Sequence, residues 1–574
     1  MQGSVASSLA WQRPVNLDTS SITAAKCSKL SCVAYARELV LEWISLRPTS
    51  HEMHSNSDPM QRVLPATREL PLFDVPAARC IEAQEAARVP DHTLMRRAGE
   101  AAARLALAVA PHARRIWVAA GPGNNGGDGI EAAIHLLHAG RQVEVTLHGD
   151  AAALPADAAA ALARAKAAGV TIHTAATIEL DSNDIAIDAL LGIGASRAPE
   201  GAIAASIRRL NALGARACPV LAVDVPSGLH AGNGNPLGAD CVIARHTLAL
   251  LSLKPGLFTA VGRDHAGTIW FEALGTDPAD ALAGGAPTAW LAASPSVQRD
   301  GLTRRHAQHK GSFGDVAVIG GAPGMTGAAL LAGRAAHAAG AGRVFVQLLQ
   351  SAAFAPGVAL GVDGLRPELM FRAAWSDGAP DVLGRSTVVC GCGGGDAVRV
   401  VLPRLLSLAQ RLVLDADALN AIAADTSLAA LLGNRADRGL ASVLTPHPLE
   451  AARLLACSTA EVQADRLRAA QALADRYRSV VVLKGSGSIV SAPQRVARIN
   501  STGNAALATG GTGDVLAGWL AGLWAQAAPD GPPAEVAATV ATRAVAEHGA
   551  AAEPQSAGPM RAGDLIEALY RKAR

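Results

Sequence analysis

At 574 residues the chain exceeds what one ordinary hydrophobic core serves, so two large domains are expected. Half of the residues are apolar, 17% are charged and 3% are aromatic, with a net charge of +2, which excludes a bulk electrostatic grip on nucleic acid and an aromatic stacking platform. The eight cysteines form no CxxC pair, which fits a reducing compartment better than a disulfide scaffold, and no run is long and apolar enough to span a membrane.

Residues 1–60 mix Ser, Thr, Cys and both charge signs, with helical character only over 33–46. They read as a poorly ordered extension, or as a start placed too early with Met53 or Met60 as the true one; the pattern of a secretory signal is missing. Organised sequence begins at Leu72. Helices are expected over 77–89 and 92–110, and Leu94-Met95-Arg96-Arg97-Ala98-Gly99 on the second reads as packing. Arg115-Ile116-Trp117-Val118-Ala119-Ala120 is a buried strand that runs into Gly121-Pro122-Gly123-Asn124-Asn125-Gly126-Gly127-Asp128-Gly129, with a helix expected from Ile130. Strand, glycine loop, helix is the geometry that sets an anion at a helix N-terminus. The Asn and Asp oxygens suit a hard cation or ribose hydroxyls as well, and the bland reading is a tight turn.

Strands over 142–147, 185–191 and 220–225 alternate with helices over 152–168 and 202–213, the pattern of a doubly wound parallel sheet. In such sheets ligands lie at the carboxyl ends of the strands, where Asn125, Asp188, Asp224 and Ser227 all fall. A single acid there is an ordinary helix cap; several oxygen-bearing side chains at neighbouring strand ends surround a ligand or ion.

Residues 276–300, rich in Ala, Gly, Pro and Asp, read as the join between domains. Beyond them strands are expected over 316–321, 344–349, 386–390, 411–414, 443–445 and 480–483, each ending in polar or glycine-rich sequence. Cys390-Gly391-Cys392 reads as a tight turn of small residues rather than a metal or redox pair. His447, Lys484, Asp415 and Asp417 each have bland readings as turn, solvated or capping residues. Together they mark the ends of different strands of one sheet. In Ala508-Thr509-Gly510-Gly511-Thr512-Gly513-Asp514 the glycines free backbone N–H groups to face an anion, the apolar run behind reads as a helix, and Asp514 on its first turn is placed to act as a base.

The motifs 121–129, Asp188-Ala189-Leu190-Leu191-Gly192-Ile193-Gly194 and Val223-Asp224-Val225-Pro226-Ser227-Gly228-Leu229 resemble the NAD(P)H-hydrate epimerase domain, over residues 72–275. The resemblance implies a Rossmann-like fold and a potassium ion held by Asn125, Asp188 and Ser227. It implies contacts to a hydrated nicotinamide dinucleotide from Asn124, Asn125, Gly126, Gly127 and Asp128, and from Gly192, Ile193, Gly194, Ala195, Ser196, Arg197 and Ala198. Asp224 would touch the same ligand as the acid/base group. His230 departs from the family, which often has Asp there.

The second half, residues 301–574, resembles the ADP/ATP-dependent NAD(P)H-hydrate dehydratases, which have the ribokinase-like fold. The matching motifs are His309-Lys310-Gly311, the glycine-rich segment 320–328, Pro367-Glu368-Leu369-Met370, Asp415-Ala416-Asp417, Thr445-Pro446-His447-Pro448, Leu483-Lys484-Gly485 and 508–518. By resemblance Lys484, Gly485, Ser486, Gly487, Ser488 and Gly513 would contact the adenine nucleotide, and Ala328, Gly393, His447 and Asp514 the hydrated dinucleotide. Two departures stand out: Gly391-Cys392-Gly393-Gly394-Gly395 replaces the family's Gly-Pro-Gly-Leu-Gly, and Gly503-Asn504-Ala505 its Gly-Asn-Pro. The two halves together imply a cytoplasmic, bifunctional enzyme, expected as a homo-oligomer. It would epimerise hydrated NADH and NADPH and dehydrate the S form with ADP or ATP and Mg²⁺, with no nucleic-acid or membrane partner. The other readings are a small-molecule kinase fused to a dinucleotide-binding module, distinguished by its product, and a non-catalytic dinucleotide-binding scaffold, distinguished by binding without turnover.

Overall fold

The computed structural model describes residues 60–276, 285–295, 304–349, 362–555 and 558–572. The expectations for residues 1–59 lie outside them. The strands are β1 (Gln61–Arg62), β2 (Leu70–Leu72), β3 (Arg115–Ala120), β4 (Gln142–Leu147), β5 (Thr171–His173), β6 (Ile185–Ala189), β7 (Val220–Val223), β8 (His246–Leu250), β9 (Thr268–Glu272) and β10 (Ala289–Leu291). They continue with β11 (Asp315–Gly320), β12 (Arg343–Leu348), β13 (Met370–Phe371), β14 (Ser386–Cys390), β15 (Arg411–Leu414), β16 (Ala441–Leu444), β17 (Val480–Leu483), β18 (Ile489–Ser491) and β19 (Ala497–Ile499). Helices connect most of the parallel strands and cover the sheets, the α/β architecture that the alternating pattern predicts.

The first sheet runs β1-β9-β8-β7-β6-β3-β4-β5 and is parallel apart from the β1 edge. Because β6 lies between β3 and β7, the residues that follow β3 and β7 meet the end of β6. The second sheet runs β13-β12-β11-β14-β15-β16-β17-β18-β19-β10-β2, with β11 to β17 parallel. Its central strands are near-continuous apolar runs, as strands covered on both faces require.

Two local findings differ from the sequence reading. The helix after β3 starts at Asn124, inside the expected loop, and runs to His138. Its glycines serve close packing rather than left-handed backbone. A Cβ on Gly126 would lie 1.9 Å from the Gly121 carbonyl oxygen, and one on Gly127 would lie 2.5 Å from the Met95 methyl. The Leu94–Gly99 segment is the other side of that contact, since a Cβ on Gly99 would meet Glu131 at 2.5 Å. The second difference lies in the stretch 276–300, where Ala289-Trp290-Leu291 forms β10. It pairs in parallel with β19 and in antiparallel with β2, and Ala289 and Leu291 are fully buried. The chain therefore lays down an edge strand of the second sheet at β2, builds the first sheet, and returns. One apolar core is continuous across the halves, with Leu257 and Phe258 in the same cluster as Leu483 and Val462.

Candidate active sites

A cleft of about 890 Å³ opens at the carboxyl ends of β3, β6, β7 and β8. Asn124, Asn125, Asp128, Gly192, Ile193, Gly194, Ala195, Ser196, Arg197, Ala198 and Asp224 all line it. Gly126 and Gly127, expected to touch the dinucleotide, do not line it; they are buried in the helix packing described above. Asp188 and Ser227 lie beneath its floor, both fully buried.

Asp224 sits just past β7 with φ of +64°, a strained conformation for a non-glycine residue that is held by the surrounding bonds. Its backbone N–H donates to the Leu248 carbonyl at 2.8 Å. Its carboxylate forms an ion pair with Lys254 and accepts from the Leu250 N–H at 3.3 Å. The Lys254 ammonium is 2% exposed and also donates to the Leu250 carbonyl at 3.0 Å. Glu82 and Asp128 also line the cleft, without an ion-pair partner among the described residues. Burial, and then the charges of Asp224, Glu82, Asp157 and Glu131, push the Asp128 carboxyl well above the usual carboxylate range. Glu82 is raised in the same way, by burial first and Asp224 second.

Beneath the cleft, Asp188 accepts from the Ser227 hydroxyl at 2.6 Å, the Ser227 N–H at 2.8 Å and the Leu190 N–H at 3.2 Å. No Lys or Arg pairs with it among the described residues. Burial lifts its carboxyl to about 6 in spite of those bonds. Beside it, both polar side-chain atoms of Asn125 are buried without a hydrogen-bond partner. A buried carboxylate without a counter-ion next to an unsatisfied amide is costly on its own. All three side chains offer oxygen, so the site fits a hard cation.

The second site gathers at the ends of β11, β14, β15, β16 and β17. Gly511, at φ +91°, starts the helix Thr512–Gln526 and puts Asp514 in its first turn. A Cβ on Gly513 would come within 3.3 Å of the Lys484 ammonium. Lys484 Nζ donates to Asp415 Oδ1 at 2.7 Å and lies 3.9 Å from Glu450 Oε2, while Thr445 Oγ1 donates to the same Asp415 oxygen at 2.7 Å. Burial, followed by Asp415, raises the Asp514 carboxyl to about 6. Cys392, Asp415 and Asp514 offer ligand atoms within 4.8 Å of one another. The Lys484 ammonium bonds Asp415 and so offsets part of that charge. Gly391 and Gly393 have positive φ, so the Cys390–Cys392 stretch is a tight turn, and a Cβ on Gly393 would strike that of Ala328 at 2.9 Å. Ala328 and Gly393 are thus neighbours.

His447 caps the helix Pro448–Leu455. Its Nδ1 accepts from the Leu449 and Glu450 N–H groups, at 3.1 and 3.3 Å, so the ring proton stands on Nε2, 3.2 Å from Glu450 Oε1. Burial and then the Lys484 charge lower the imidazole from its ordinary value, and burial raises Glu450 to about 7. The turn 484–488 closes on itself, with Ser488 Oγ donating to the Gly485 carbonyl at 3.0 Å.

Family models match both halves: YjeF-related protein N-terminus over residues 91–256 and NAD(P)H-hydrate dehydratase over 316–571. The bifunctional NAD(P)H-hydrate repair enzyme Nnr of Escherichia coli K12 is 38% identical over 449 residues, 76% of this chain and 81% of that protein. The chain belongs to the bifunctional NAD(P)H-hydrate repair enzymes. A second member of the family, from Leishmania infantum, is 35% identical over 515 residues, covering 82% of this chain and 88% of its own. An ADP/ATP-dependent NAD(P)H-hydrate dehydratase from Bacillus subtilis, co-crystallised with ATP and Mg²⁺, is 30% identical, with a TM-score of 0.37 over 47% of this chain and 92% of that one.

For this bifunctional repair enzyme, sequence reasoning marked Asp415 only as a strand-end acid and missed Lys254, Glu82 and Glu450 beside the two sites. A signal existed for Lys254: a lone cation in Leu251-Ser252-Leu253-Lys254-Pro255-Gly256, an otherwise apolar stretch after a strand. Glu82 lies on a helix surface in the sequence and carries none. Among the described residues, no helix is long and apolar enough to cross a membrane.

Proposed function

We propose that the cleft of the first half interconverts the R and S hydrates of NADH and NADPH, and that the second site returns the S hydrate to NAD(P)H at the expense of ADP or ATP. Water adds to a dihydronicotinamide as to any enamine: the proton goes to the carbon β to the ring nitrogen and the hydroxyl to the carbon bonded to that nitrogen. The epimers differ at that carbon. Loss of the hydroxyl as water leaves an iminium, and water returning on the other face gives the other epimer. An acid must protonate the departing hydroxyl and a base must take a proton from the incoming water. Asp128, without a counter-ion and pushed upward, suits the acid; Asp224, ion-paired with Lys254, suits the base. Asn124 and the 192–198 loop would flank the dinucleotide. Asn125, Asp188 and Ser227 would hold K⁺, which when bound supplies the charge that the buried carboxylate lacks.

Dehydration has a harder leaving group. Asp514 would take the hydroxyl proton as that oxygen attacks the terminal phosphoryl group of the nucleotide, while the bridging phosphorus–oxygen bond breaks and AMP leaves from ADP, or ADP from ATP. The carbon–oxygen bond then breaks, inorganic phosphate departs, and loss of the β proton restores the ring double bond. Lys484 and the backbone N–H groups at the start of Thr512–Gln526 would hold the phosphoryl oxygens, a reading supported by the glycine-bounded helix start and the buried ammonium. The turn Lys484 to Ser488 and Gly513 would face the nucleotide; Ala328, Gly393 and His447 would face the hydrate. Mg²⁺ bound with the nucleotide would neutralise phosphate charge. The observation that carries the reading is Asp514 at a glycine-bounded helix start with a carboxyl near 6, beside the Lys484 ammonium.

The test is to incubate the protein with mixed R and S hydrates, with and without ADP or ATP. The expected outcome is a nucleotide-dependent return of reduced-nicotinamide absorbance that exceeds the S fraction, because epimerisation feeds R into S. Release of a phosphorylated hydrate with no return of absorbance would make the second half a kinase.

A further inference from the structure

The turn Lys484-Gly485-Ser486-Gly487-Ser488 is not built by the second half alone. Gly487 has φ of +58°, and a Cβ there would lie 2.0 Å from the Phe258 carbonyl oxygen and 2.9 Å from the Thr259 Cα. Phe258 and Thr259 belong to the first half, in the segment that begins at Lys254. Thr259 is 1% exposed, and its hydroxyl lies 3.5 Å from both the Ser486 and Gly487 carbonyl oxygens. That hydroxyl accepts from Arg466 Nε at 3.2 Å.

Arg466, bonded to Thr259, lies behind the same turn. It is 2% exposed and donates to the Lys484 carbonyl at 3.2 Å, the Leu483 carbonyl at 3.4 Å and Gln463 Oε1 at 2.8 Å. Gly485 has φ of +137°, and a Cβ on it would sit 2.9 Å from the guanidinium nitrogens. No carboxylate pairs with this guanidinium among the described residues, and burial lowers it to about 10. A buried cation satisfied only by neutral oxygens, directly behind a turn that faces a polyanion, is stabilised when that polyanion binds.

We propose that Thr259, supplied by the first half, and Arg466 are positioning residues for the nucleotide. They hold the carbonyls of Leu483, Lys484, Ser486 and Gly487 on one side of the turn and so leave its other side set for phosphate and sugar. Nucleotide affinity in the second half is therefore partly built by the first. The proposal rests on the reading that this turn binds the nucleotide.

Thr259→Val keeps the shape and removes the hydroxyl, so a hydrogen-bond-sized effect is expected: a nucleotide KM raised about three- to tenfold. Thr259→Ser should restore it. Arg466→Lys keeps the charge but loses the fork, and should raise the same KM at least as much. The hydrate KM and the epimerisation rate of Thr259→Val should stay within about twofold of the unaltered protein, with a similar thermal midpoint. The idea is overturned if nucleotide KM is unmoved in Thr259→Val. It is equally overturned if nucleotide KM, hydrate KM, epimerisation and thermal midpoint all shift together, the signature of a mere interface staple. Calorimetric titration with ADP separates the two readings. Unaltered protein that binds ADP but does not dehydrate sinks the dehydratase reading, and the clamp is then judged on the ADP affinities of the two Thr259 variants. Unaltered protein that binds neither ADP nor ATP sinks both.

Discussion

Asp224 and Asp514 are both aspartates at strand or helix ends of an α/β layer, yet their surroundings differ. Lys254 sits on Asp224, whereas Asp514 shares its burial with Asp415 and is raised to about 6. Asp514→Ala should cut nucleotide-dependent recovery of NADH by about 100-fold or more while epimerisation continues, and Asp224→Ala should do the reverse. Coupled assays on single epimers read both activities at once. A base must be ionised, so dehydration should fall about tenfold per pH unit as the pH drops below about 6, rather than near the ordinary carboxylate value. The pH profile of kcat/KM for dehydration checks the sign. At neutral pH K⁺ should raise the thermal midpoint above that in choline chloride, and Asp188→Asn should abolish the difference, because the cation offsets a buried carboxylate with no other counter-ion. At this scale the residue's type and its place, at a strand end for Asn125, Asp188 and Asp224 and at a helix start for Asp514, were legible in the sequence, and the structure sets Asn125 and Asp224 on one cleft. The sequence was silent about Glu82, which reaches its cleft from a helix face that looks solvated in one dimension.

Helices and strands follow the local pattern closely, because apolar period and turn chemistry act over a few residues. β3 and β4 have the bounds that the sequence predicts, and the helix behind Asp514 starts where its glycines and apolar run place it. The glycine-asparagine stretch after β3 is the exception. Its residues look like a loop, but Gly126, Gly127 and Gly129 lie in a helix and are small because other chain segments press against them. Propensity points one way and tertiary packing decides the other. The same logic governs Gly518 and Gly522 on Thr512–Gln526. A Cβ on Gly518 would lie 2.0 Å from the Ala332 carbonyl oxygen, and one on Gly522 would lie 2.5 Å from that of Ala336. Gly518→Ala should therefore destabilise by about 1–3 kcal/mol although alanine is the better helix former. The thermal midpoint should drop, and nucleotide-dependent turnover with it, since Asp514 rides on the displaced helix.

For the whole molecule, the division into two catalytic halves is not a division into two self-contained bodies. β2 and β10 complete the edge of the second sheet, Glu69 pairs with Arg498 at 2.7 Å, and Arg263 donates to the Gly503 carbonyl at 3.2 Å. A C-terminal fragment beginning at residue 301 would expose the β19 edge and uncover apolar core. It should melt lower and scatter more light than the full chain.

The sequence by itself determined the alternating elements, the chemical types gathered at strand ends and the resemblance that names both activities. These are local properties or motif properties, carried by residues within a few positions of one another. Only the tertiary structure decided that Lys254 pairs with Asp224 and Lys484 with Asp415, that Asn125 is left unsatisfied beside Asp188, and that Thr259 backs a turn more than 200 residues away. Those distances follow from the order of strands in each sheet and from the side chains that fill the space between layers. No local period encodes either one.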